Sequence, residues 1–204
     1  MSTTTLVPET QLREELDVLP GPLYRMPLEK YEEMVASGIL GPGDHVHLID
    51  GYLVDKMTQN DAHATADELC GQLLDRTIPP GWHVRSAKPI RLAGQASKPE
   101  PDRCVVRGEI RAYRHRSPEP QDIGLVIEVA DSSLALDRKL GQIYSAAGVP
   151  VYWILNLVDR QLEVYTEPGP AGYTTQRVFK SGDSAPLEID GGEVGRIAVA
   201  EMLP

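Results

Sequence analysis

The sequence predicts an α/β (α+β) protein, a mixed β-sheet flanked by helices and carrying extra β-hairpins. Three observations predict it. Apolar periodicity runs in the order helix, hairpin, helix, several strands, helix, strands, with no internal repeat. The run Leu125-Val126-Ile127-Glu128-Val129-Ala130 is almost continuously apolar, as a strand covered on both faces must be. The chain has 204 residues, 41% hydrophobic and 25% charged, enough for one core without disulfides or metal to hold it.

Residues 1–22 are polar and acidic and end in Pro20-Gly21-Pro22, which marks a flexible N-terminal arm; residues 23–204 are expected to form a single domain. PLEKYEEMVASG opens with Pro27 at a first helical position and closes on Gly38, with Leu28, Tyr31 and Val35 as its apolar stripe. HVHLID and YLVDKM alternate and meet at Asp50-Gly51, a hairpin turn. A helix from about Ala62 to Arg76 carries Ala66, Leu69, Cys70, Leu73 and Leu74 on one face until Pro79-Pro80-Gly81 ends it. WHVRS, KPIRL, DRCVV and LVIEVA follow as strands, with a loop over 93–100 and a polar connection over 108–124. A helix from about Leu136 to Ala147 ends at Gly148. VYWILNLV and QLEVYTE then pair across Asp159-Arg160, and YTTQRVFK begins a final hairpin or two.

Thirty acidic against twenty basic residues give a net charge of -10, which excludes a histone-like nucleic-acid binder. Cys70 and Cys104 sit in apolar patterns without zinc or redox spacing and read as reduced core residues. The chain shows no membrane-length apolar run and no secretory start, so a cytoplasmic location is expected.

Chemistry enters with two carboxylates. Asp102 starts DRCVV and Glu128 lies inside LVIEVA, where an acid is costly to bury without a cation, an arginine or a proton. An ion pair or an edge position would explain Glu128 structurally; a metal site would explain both acids at once. Asp137-Arg138-Lys139 stands at the entrance of the next helix, and a lysine returning over the acids would complete a hydrolytic centre around a hard divalent ion. A lysine at a helix start is otherwise a solvated charge.

The segments LIDGYLVDKM, His63, PEPDRCVVRG, LVIEVADSSLALDRK and IYSAAGVPVYWILNLVDRQLEVY, in that order, resemble the Uma-type putative restriction endonuclease family of the PD-(D/E)XK nuclease superfamily, over roughly residues 24–180. The resemblance implies a restriction-endonuclease-like core and metal-dependent cleavage of phosphodiester bonds in DNA, with Mg²⁺ or Mn²⁺ as cofactor. It makes Asp102 and Glu128 the two catalytic, metal-binding acids. The superfamily's lysine position, two residues after Glu128, is Ala130. The family's alternative, four residues after Asp137, is Gly141. Lys139 remains as the catalytic lysine, although it stands two residues early, a turn of roughly 200° on a helix.

His63 is expected to contact substrate or a metal-bound water, or else to cap or pack at the sheet edge. The resemblance also implies a third acid from an early helix or strand, which either Asp50 or Asp55 could supply; the turn accounts for Asp50 equally well, so Asp55 is the expected third metal ligand. Tyr144, Tyr152, Trp153 and Tyr165 read as core packing rather than a base-stacking platform. Five arginines between 103 and 116 face a single acid, Glu109, so Arg103 and Arg107 are the expected substrate contacts, opposite an acidic region over 183–201. The strand edges could support a homodimer. The competing expectations are a nuclease-fold module without catalysis, binding nucleic acid or a protein partner, and an assembly protein in which Glu128 is merely ion-paired.

Overall fold

In a computed structural model, residues 23–204 are described; the expected arm over 1–22 lies outside them. Helix α1 (Leu28–Ala36) starts after Pro27, whose extended backbone turns the chain into the helix. It buries Leu28 and Tyr31 against Leu48. Val35 stays 47% exposed, so the expected stripe is one residue shorter. Strands β1 (Val46–Ile49) and β2 (Tyr52–Asp55) form the first hairpin. Asp50 and Gly51 both take positive φ, as a tight two-residue turn requires.

Helix α2 (Asp61–Thr77) is capped by Asn60, whose side chain accepts the His63 N–H at 2.9 Å. The main sheet has six strands: β3 (Trp82–Ser86), β4 (Arg103–Arg107), β5 (Ile123–Ala130), β6 (Val151–Asn156), β7 (Gln161–Thr166) and β8 (Thr175–Lys180), in that spatial order. Every neighbouring pair is antiparallel except β5 and β6. That parallel pair needs a crossover, supplied by α3 (Leu134–Ala146). A second hairpin, β9 (Ser184–Ile189) with β10 (Gly192–Ala198), and the short α4 (Val199–Met202) complete the chain.

β5 is buried along its whole length because both sheet faces are covered. Leu125, Ile127 and Val129 join the side packed by α2 and the β9–β10 hairpin; Val126 and Ala130 join the side packed by α3. Trp153 and Tyr152 go to opposite sides and are both fully buried. Cys70 and Cys104 are buried and free, and burial pushes the Cys70 thiol up to about 12.

KPIRL is not a strand. Pro89 has no N–H to give a ladder, and Ile90 and Leu92 donate instead to Pro99 O and Ser97 O within their own loop. YTTQRVFK supplies β8, which extends the main sheet rather than opening a separate hairpin.

Candidate active site

The register Arg103↔Ile127 sets Asp102, just before β4, opposite Glu128 on β5. Side chains alternate across a strand, so Asp102 shares a face with Cys104 and Val106, and Glu128 shares it with Val126 and Ala130. Both acids therefore meet on the α3 side, at one end of the sheet, where a cleft of about 210 Å³ opens.

Their hydrogen bonds fix them closely. The Asp102 N–H donates to Glu128 Oε2 at 3.1 Å, and the Val129 N–H donates to Asp102 Oδ2 at 2.8 Å. Gln59 Nε2 donates to Asp102 Oδ1 at 3.0 Å, while His63 Nε2 lies 3.2 Å from Oδ2. The Tyr144 hydroxyl donates to Glu128 Oε1 at 2.7 Å. Asp137, on the buried face of α3, accepts from the Ser133 hydroxyl at 2.6 Å.

The electrostatics show an excess of negative charge. Burial raises the Glu128 carboxyl well above the usual carboxylate range, and the charges of Asp102 and Asp137 raise it further. Burial pushes Asp137 up to about 6, with Asp102 adding to the shift against the Ser133 hydrogen bond. For His63, burial lowers the pKa, but the hydrogen bond and charge of Asp102 outweigh it and the net shift is upward.

Among the described residues, no group of three or more His, Cys, Asp and Glu side chains is placed to hold a metal ion alone. The donor chemistry of Asp102 and Glu128 nevertheless fits a hard divalent cation, which takes one or two carboxylates and completes its shell with water or phosphate oxygen. A raised Glu128 beside two further acids is the imbalance such an ion relieves.

The other expected residues fall in different places. Asp55, the last residue of β2, lines the cleft and is exposed. Asp50 pairs with Arg25 at 2.8 Å and does not line the cleft. His63 lines it and contacts Asp102. Arg103 points to the α2 side, where its guanidinium forms two hydrogen bonds to Asp67, at 2.6 and 2.8 Å. Arg107 sits at the far end of β4, stacked on Trp82 and paired with Asp190. Lys139 is exposed on α3 and is not among the described residues that line the cleft. Two helical positions from buried Asp137 turn its side chain away from it. The helix position that does share the Asp137 face is Gly141, and a Cβ there would stand 3.0 Å from the Tyr152 ring.

The family described as "Uma2: Putative restriction endonuclease" matches residues 28–193. The chain belongs to the Uma2 family. No curated protein matches this Uma2 chain. It is also similar to the 1.96 Å crystal structure of a putative nuclease belonging to DUF820 from Anabaena variabilis, with a TM-score of 0.65 and 13% identity over 87% of this chain and 97% of that one. At that identity the likeness establishes the fold: a six-stranded mixed sheet flanked by helices.

Several site residues of this Uma2 protein gave little sign of themselves in the sequence. Tyr144 falls in a stripe with Leu140, indistinguishable from packing. Gln59 and Asn60 look like ordinary residues before a helix; only the capping role of Asn60 had a signal. Asn60 also donates to Asp131 at 2.6 Å, closing the cleft between the start of α2 and the end of β5.

Proposed function

We propose that this Uma2 protein is a metal-dependent endonuclease hydrolysing phosphodiester bonds in DNA, with Asp102 and Glu128 holding Mg²⁺ or Mn²⁺. The carrying observation is the juxtaposition of these two acids, from neighbouring strands, on one face at the mouth of a cleft. When bound, such an ion supplies Lewis-acid polarisation of a phosphoryl oxygen and acidifies water.

The chain's own groups hold that pair ready. Val129 N–H, Gln59 and His63 orient the Asp102 carboxylate, and Tyr144 fixes one oxygen of Glu128. Asp137 adds a third carboxyl group beside them, fixed in place by Ser133. Asp55 stands at the rim as a further oxygen donor.

Of the arginine-rich stretch, Arg103, Arg107 and Arg116 are paired with Asp67, Asp190 and Asp122, so much of its charge is compensated within the fold. Arg111 and Arg114 are exposed and available to a phosphate backbone.

The second reading is a nuclease-fold module without catalysis, binding nucleic acid or a protein partner. The position of Lys139, exposed and away from the cleft wall, favours it. Supercoiled plasmid separates the two. Conversion to open circles by purified protein with Mg²⁺ or Mn²⁺, lost in Asp102→Ala, supports the endonuclease. Intact plasmid at metal concentrations that saturate the protein overturns it in favour of the inactive module.

A further inference from the structure

The cleft carries six carboxylates, Asp55, Glu100, Asp102, Glu128, Asp131 and Asp137, and its wall contains one Lys or Arg among the described lining residues, Lys56. Lys56 follows β2 directly, and its backbone N–H donates to His45 O at 2.7 Å, which anchors the residue at the base of the first hairpin. Its ammonium lies 2.7 Å from Glu100 Oε2, with the two side chains 33% and 26% exposed. Glu100 is joined to Asp102 through buried Pro101, whose ring restricts the backbone between them. The ion pair is thus tied by two short, stiff connections to the same wall as the acids. It remains open enough to exchange one oxygen anion for another.

The other nitrogen bases on the wall are poorly suited to that task. His63 is engaged with Asp102. His47, on β1, has its pKa lowered by burial and by the nearby Lys56 charge against the opposing charge of Glu100, which disfavours its cationic form. A phosphate entering a cleft this acidic needs a positive partner besides any bound metal.

We propose that Lys56 is the phosphate-contacting cation of the cleft, held by Glu100 in the free protein and transferred to a non-bridging oxygen of the bound phosphate. The proposal rests on the nucleic-acid reading of the cleft and assigns the charge that Lys139 does not bring to its wall. The exchange is an ion-pair switch without covalent change. Glu100 keeps its charge, and its repulsion of the incoming phosphate limits affinity until Lys56 turns.

The test is binding of a fluorescein-labelled DNA duplex, followed by anisotropy over a series of NaCl concentrations with Ca²⁺ present. Competition by inorganic pyrophosphate serves as a second probe. Lys56→Gln is expected to weaken both ligands about tenfold, the worth of one charge-assisted hydrogen bond, and to reduce the salt slope by about one. Lys56→Arg should retain affinity within about threefold, because the cation persists. Lys180→Gln, on β8 and outside the cleft, makes the same change in net charge and should leave pyrophosphate competition unchanged. Thermal melts of each variant confirm that it is folded.

Wild-type-like affinity and salt slope for Lys56→Gln overturn the proposal, as does a wild-type protein that binds neither duplex nor pyrophosphate. Plasmid cleavage by the wild type separates this failure from failure of the functional reading. Cleavage with an indifferent Lys56→Gln discards Lys56 alone. Absent cleavage with Lys56-dependent pyrophosphate binding discards the endonuclease and keeps the phosphate site.

Discussion

Asp102 and Glu128 are bonded to each other across the ladder: the Asp102 N–H donates to a Glu128 oxygen at 3.1 Å, and the N–H next to Glu128, that of Val129, donates back to the Asp102 carboxylate at 2.8 Å. Each acid is oriented partly by the other strand's backbone. Side-chain substitution therefore removes charge without removing the ladder that builds the site.

The first consequence concerns stability without metal. Folded Glu128 binds its proton more tightly than an exposed glutamate does. Its contribution to stability is fully present below the ordinary carboxylate range and is lost as pH rises through its raised value. The metal-free protein should melt lower at about pH 8 than at about pH 5 for this reason. Glu128→Gln should flatten that fall and raise the pH 8 melting temperature by about 2–4 °C, roughly 1 kcal/mol for a chain of this size. Its amide oxygen can accept from Asp102 N–H while its NH₂ donates to the Tyr144 hydroxyl. A marked drop in melting temperature would instead mean a structural ion pair at Glu128.

Placing a lysine at Gly141, the helix position that shares the Asp137 face, should not enhance cleavage. Gly141 packs on Tyr152, with only 3.0 Å between a built Cβ and the ring. Tyr152 in turn donates its hydroxyl to Asp137 O at 2.9 Å. Gly141→Lys is expected to cost roughly 1–3 kcal/mol by overpacking, read from denaturant titration, with no gain in cleavage rate. A stable, faster variant would show that the ring moves aside readily.

Arg103 is expected to act on stability rather than on substrate. Its pairing with Asp67 is mostly buried, with side-chain exposures of 15% and 12%. Removing the guanidinium leaves a buried carboxylate unpaired, so Arg103→Ala should lose about 3 kcal/mol of unfolding free energy. Duplex affinity of the fraction that stays folded should be unchanged. Weakened binding with unaltered stability would return Arg103 to the substrate.

His63 orients one oxygen of Asp102 from the first turn of α2. His63→Ala should weaken Mn²⁺ affinity about 10–100-fold, the range for losing a partner that positions a ligand. Unchanged affinity would limit the residue to a packing role.

The sheet and its acid pair were legible because both depend on local pattern: an apolar run interrupted by one glutamate, and an aspartate at the start of a neighbouring strand. The arginine count over 103–116 carries no information on facing: strand alternation sends residue 103 to the opposite face from residue 102, where it meets Asp67. Tyr144, Lys56 and Glu100 stayed hidden since each joins the site through pairing between segments distant in sequence. A glycine inside a helix costs about 1 kcal/mol against alanine, and for Gly141 the structure gives the reason, a tyrosine ring lying where a side chain would go.

Calorimetric titration of the purified protein with Mn²⁺ tests the central claim most directly. Wild-type protein should bind the ion saturably, and Asp102→Ala and Glu128→Ala should each lose that binding while melting cooperatively. Equal Mn²⁺ affinity in the wild type and both variants, or no binding by the wild type, would contradict a cation held by these two carboxylates.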